Sequence, residues 1–120
     1  MSDAYELYQQ GRRHLRNGMA AQATVSLEKA KRLEPDKASI REALGIAYLR
    51  LRRPEEAAAE FRKILELSPA DDFAHYALGR ALEQQGNHAE ANGHYKLASS
   101  LRPDSEQYAA RIRDLDAEAS

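Results

Sequence analysis

No cysteine and no tryptophan occur among the 120 residues, and phenylalanine appears only twice. The missing cysteine removes disulfides, thiolate catalysis and cysteine-ligated zinc or iron–sulfur sites, while leaving the redox compartment open. Long apolar runs are missing too: nothing approaches the roughly 20 residues that cross a bilayer, and no basic-then-apolar leader precedes residue 20. A soluble, cytoplasmic chain with no membrane partner is the expectation. Neither sign of charge dominates, since charged residues are 31% of the chain yet sum to −1. That balance gives no global pull toward nucleic acid or an anionic surface.

What is present is punctuation. Pro35, Pro69 and Pro103 stand 34 residues apart, and Gly11, Gly45 and Gly79 keep the same interval. An interval of that length, filled with helix-forming residues, marks a helical repeat array in which each unit contacts chiefly its neighbours. One unit cannot bury a core alone, so stacking is obligatory. The expected organisation is a single all-α domain over 1–120, with units at about 4–37, 38–71 and 72–105 and a last, capping helix at about 105–119.

Each unit reads as two helices. The first helices are expected over Ala4 to Asn17, Ala38 to Arg52 and Asp72 to Gln85, and the second over Ala20 to Glu34, Pro54 to Leu67 and His88 to Leu101. The second helices carry the clearest apolar stripes: Ala23, Leu27, Ala30 and Leu33, then Ala57, Phe61, Ile64 and Leu67, then Ala91, Tyr95, Ala98 and Leu101. Gly18 and Gly86 fall where a helix ends in a left-handed residue, whereas the middle unit has Arg52, Arg53 and Pro54 at that turn. Asp104 with Gln107 reads as the capping box of the seventh helix, whose stripe is Tyr108, Ile112, Leu115 and Ala119; Arg111, Arg113, Asp114, Asp116 and Glu118 are assigned to its watery faces. Asp3 reads as the cap of the first helix.

Catalytic chemistry finds little support. His14, His75, His88 and His94 have no ligand spacing, and Glu55–Glu56 and Asp71–Asp72 sit at helix starts, where the helix dipole accounts for them. No glycine-rich phosphate loop, serine elbow or HExxH occurs. No enzyme activity, cofactor or metal is therefore expected. Arginines cluster at Arg12, Arg13 and Arg16 and at Arg50, Arg52 and Arg53 with Arg41, but arginine at a helix C-terminus complements the dipole, so binding of RNA or another anionic ligand there is the less favoured alternative.

The pattern of Leu44, Gly45, Tyr48, Ala57, Phe61 and Pro69, repeated as Leu78, Gly79, Leu82, Ala91, Tyr95, Ala98 and Pro103, resembles the tetratricopeptide repeat. The first unit keeps Gly11, Ala23, Leu27, Ala30 and Pro35, and Leu7, Arg41 and His75 stand where that family has tryptophan. The resemblance implies a right-handed α-solenoid of three helix-turn-helix units, with the first helix of each lining a concave groove for a peptide segment of a partner. The groove residues it implies are Tyr5, Tyr8, Arg12 and Arg16, then Ile46 and Arg50, then Phe73, Tyr76 and Arg80, accompanied by Gln9, Ser39, Glu42, Ala43, Leu49, Ala77, Glu83 and Gln84. Tyr8, Arg12, Phe73, Tyr76 and Arg80 are the expected anchors, because aromatics interleaved with arginine carry most interface energy.

Tetratricopeptide co-chaperones grip the C-terminal carboxylate of heat-shock chaperones with lysines, asparagines and an arginine. The corresponding positions here hold Tyr8, Arg12, Ala43, Phe73 and Ala77, so that clamp is not expected. Self-association through the uncovered N-terminal end, at Leu7 and Val25, is the alternative to a scaffold for peptides.

Overall fold

The computed structural model describes residues 3–119, so the ends of the expected 1–120 domain lie outside it. Seven helices follow in order: α1 (Asp3–Arg16), α2 (Ala20–Leu33), α3 (Ala38–Arg50), α4 (Pro54–Leu67), α5 (Asp72–Gln84), α6 (His88–Leu101) and α7 (Glu106–Ala119). Among the described residues there is no strand. The helices pack as α1 on α2, α3 on α4 and α5 on α6, and each pair rests on the next to give a rod of 52 × 25 × 22 Å.

The recurring glycines explain how the helices of each pair come close. A Cβ built on Gly11 would meet Leu27 Cγ at 2.5 Å, one on Gly45 would meet Phe61 Cζ at 2.6 Å, and one on Gly79 would meet Tyr95 Cε1 at 2.5 Å. Leu27, Phe61 and Tyr95 are all fully buried. A large side chain of the second helix thus lies directly on the bare backbone of the first, three times over.

The first helices end one or two residues before their expected limits, because the chain turns earlier. Gly18 and Gly86 have φ of 72° and 83°, and Arg52 takes the same left-handed conformation at φ 58°. In all three turns an amide three residues past the helix reaches back: Met19 N to His14 O at 2.8 Å, Arg53 N to Tyr48 O at 2.9 Å, and Asn87 N to Leu82 O at 2.9 Å. The middle turn therefore closes as the others do, with an arginine in the glycine position.

Several local expectations change. Leu33, Leu67 and Leu101 are 58%, 44% and 43% exposed rather than core. A step of three residues falls about 60° short of a full turn, so the last member of each stripe slips to its edge. Ser105, not Asp104, caps α7, its Oγ accepting from Tyr108 N at 3.3 Å, because the helix starts at Glu106. Asp3 lies in the first turn of α1 rather than before it. Tyr108 and Leu115 of the α7 stripe are buried, whereas Ala119 is exposed.

Candidate functional site

The first helices form one wall, and a hollow of about 290 Å³ opens between α1 and α3. Ala43 and Ile46 of α3 make its floor, Tyr8 and Leu15 of α1 its side, and Arg12, Arg16 and Arg50 its cationic rim. A neighbouring hollow of about 220 Å³, sharing Tyr8 and Ser39, is bounded by Tyr5, Lys37 and Ile40. A third, between α3 and α5, shares Ile46 and Arg50 and adds Leu49, Arg80 and Gln84.

None of Arg12, Arg16, Arg50 and Arg80 makes an ion pair among the described residues. The Arg12 guanidinium lies 5.6 Å over the Tyr8 ring. Arg50 Nη1 donates to Leu15 O at 2.8 Å, and one unit later Gln84 Nε2 donates to Leu49 O at 3.1 Å. The same position thus ties each unit to the last carbonyls of the one before. Arg16 occupies that position in the first unit, where it is exposed and lines the hollow. Glu42 sits in the same hollow; burial, and then the nearby Asp71, push its carboxyl up, while Arg12 pulls it down.

The α5 part of the expected groove is differently placed. Tyr76 is only 7% exposed, covered by α7: its ring lies 5.0 Å from Tyr108 and 5.6 Å from Tyr95, and its hydroxyl accepts from Gln107 and Arg80. Phe73 packs edge-on against Phe61 at 6.3 Å. Tyr76 is therefore part of the seam between α5 and α7 and offers no accessible ring. Glu83 is likewise engaged, accepting from Tyr95 OH and from Arg111 of α7. Arg111, expected on a watery face, turns inward because this carboxylate is there to receive it. Tyr5, Tyr8, Arg12, Arg16, Ile46, Arg50 and Arg80 remain on the accessible wall.

Sequence reasoning missed three polar links. Glu60 is 4% exposed yet accepts from Lys31 Nζ at 2.8 Å and Arg41 Nη1 at 2.9 Å. The Glu83–Tyr95–Arg111 link is the second. The third joins His75 Nδ1 to His94 Nδ1 at 3.1 Å. Overlaying units at the 34-residue period would have found it, since His75 and His94 fall on Arg41 and Glu60. The arginine cluster around Arg41 disperses: Arg41 Nε also donates to Pro35 O at 2.6 Å, and Arg53 pairs with Glu56 and covers Tyr48. Among the described residues no three potential ligands gather as a metal site, and no helix is long and apolar enough to cross a membrane.

A concave wall built from alternate helices, with helix pairs locked by glycine, has a counterpart among known proteins. Two tetratricopeptide repeat models match, over residues 8–72 and 51–113. The chain belongs to the tetratricopeptide repeat family. Tetratricopeptide arrays are protein-interaction modules. A stretch of 91 residues, 76% of the chain, is 30% identical to the mouse (Mus musculus) Superkiller complex protein 3, of which it spans only 6%. Among solved structures, the first TPR of Spaghetti (RPAP3), bound to the HSP90 peptide SRMEEVD, superposes with a TM-score of 0.91 at 21% identity, covering 98% of this chain and 94% of that one. MamA from Desulfovibrio magneticus RS-1 gives a TM-score of 0.93 at 21% identity over 98% of this chain and 66% of that one. These likenesses show the fold: this tetratricopeptide array is a right-handed solenoid of three units, and α7 seats against α5 and α6 at its end.

Proposed function

We propose that the protein is a non-catalytic adaptor that holds an acidic, extended peptide segment of a partner in the groove between α1 and α3. The observation that carries this reading is the hollow rimmed by Arg12, Arg16 and Arg50, three guanidiniums facing a single carboxylate, Glu42, beside an apolar neighbour at Tyr5 and Ile40. Guanidiniums present paired donors to a carboxylate, and the partly enclosed wall strengthens that attraction relative to open water. An acidic side chain entering the first hollow would leave its neighbour's apolar side chain over the second.

This grip differs from a terminal-carboxylate clamp. Ala43 and Ala77 are buried at 7% and 1% and have no side-chain donor, and Phe73 is occupied with Phe61. Three units offer a short groove, so affinity on the order of micromolar, about 8 kcal/mol, is expected. Calorimetric titration of an acidic–apolar peptide library against the intact chain tests the reading. Binding that weakens at least tenfold in Arg16→Glu and Arg50→Glu, with folding retained, supports it. Equal binding of a neutral library, or indifference to both variants, overturns it. Glu42→Gln removes the one negative charge in the hollow and is expected to tighten an acidic peptide several-fold.

A further inference from the structure

His75 of α5 and His94 of α6 have their Nδ1 atoms 3.1 Å apart. His75 Nε2 lies 3.0 Å from Pro69 O, which only accepts, so that nitrogen carries a proton. The ring planes are 23° apart and the centroids 5.4 Å apart. The centroid separation exceeds the nitrogen separation by about one ring's width, so the rings meet edge to edge with the Nδ1 atoms head-on. One proton fits between them. In the neutral pair His94 Nδ1–H donates to His75 Nδ1. An added proton on the far nitrogen of His94, or a shift of the donor role to His75, leaves that single bridging proton in place. A second added proton sets N–H against N–H and two positive charges in contact.

We infer that the His75–His94 pair is a proton-operated latch between α5 and α6, closed while at most one imidazole is charged and released when both are. The surroundings offset the second charge only in part. Arg62 of α4 and Glu90 of α6 stand 3.8 Å apart and act on His94 in opposite senses, while Asp71, before α5, is turned to Ala74 N. Burial first, and then the neighbouring His75, hold His94 below the ordinary histidine value. The middle unit shows the same slot without the latch: Arg41 reaches Glu60 and Pro35 O there, an opposite-charge pair that does not titrate near neutrality. The third unit alone senses protons at this position.

The sign follows from proton counting. The opened state binds one more proton than the closed one when both rings can charge, so closure is favoured at higher pH and is lost as pH falls below the ordinary histidine value of 6.5. Amide hydrogen exchange of α6 in the full chain, corrected for intrinsic exchange and followed from about pH 7.5 to about pH 5, should lose up to tenfold protection per pH unit below that point. The His75→Arg/His94→Glu double variant, which copies the middle unit, should show no such slope. If that variant does not fold, His94→Gln, whose amide hydrogen-bonds without titrating, should flatten it equally. Nitrogen chemical shifts of both rings report their charge. Equal slopes in parent and variant, or full charging of both rings with α6 still protected, would overturn the latch.

Discussion

Arg52 is the residue whose backbone is least suited to it. A side chain in the left-handed region costs about 1–2 kcal/mol, which the glycines at the equivalent turns avoid. Arg52→Gly should therefore raise stability by about 1 kcal/mol, read as a shift in urea midpoint without a change in slope. Glycines on helices divide by what they face. Gly93 has open space around a built Cβ, so Gly93→Ala should stabilise by roughly 0.5–1 kcal/mol. Gly79 faces Tyr95, and Gly79→Ala should cost about 1 kcal/mol net, as overpacking outweighs the helix gain. Such positions were legible from the sequence because period and residue type both report on the local backbone. The accessibility of Tyr76 was not, because it depends on where α7 comes to rest, which no spacing within α5 records.

Elements join through polar links laid over the apolar stripes. Burial alone would raise the Glu83 carboxyl, but hydrogen bonds from Arg111 and Tyr95 outweigh it and hold it low. A carboxylate held low when folded adds stability above its ordinary value of 4.5 and loses it as pH falls further. Arg111→Met strands that carboxylate and should cost roughly 2 kcal/mol at neutral pH, flattening the acid limb of a stability profile. The earlier units suggest the remedy, with Leu15 and Leu49 at the position of Glu83 and Phe61 at that of Tyr95. Glu83→Leu/Tyr95→Phe/Arg111→Met should recover most of the loss, since a matched apolar set replaces a half-buried ion pair at little cost. Helix identity was readable from stripes and caps. The missed links, between residues 12 to 29 positions apart, were not, because single-helix periodicity carries no information about them.

Across the whole molecule, stability is distributed along a line. Each helix rests on its sequence neighbours, so cooperativity passes through interfaces in series. The first helix buries only Ala4 and Gly11 among its described residues, whereas α5 buries seven, including Tyr76, Leu78 and Leu82. The last helix, α7, likewise buries only Tyr108 and Leu115, so native-state hydrogen exchange should find the two end helices opening before α3 to α5; uniform protection along the chain would contradict a serial array. The arginine-rimmed hollow lies at the α1 end, so an acidic peptide bound between α1 and α3 should slow exchange in α1 more than in α7.

The side chain lying on each recurrent glycine grows along the chain, from Leu27 to Phe61 to Tyr95, and only the last ends in a hydroxyl. That hydroxyl finds its acceptor in Glu83, where the two earlier segments offer leucine. Segment order is thus keyed. Splicing α6 behind α1 would press a phenol toward Leu15 and bury an unanswered donor, so these three look-alike modules cannot be shuffled like identical bricks.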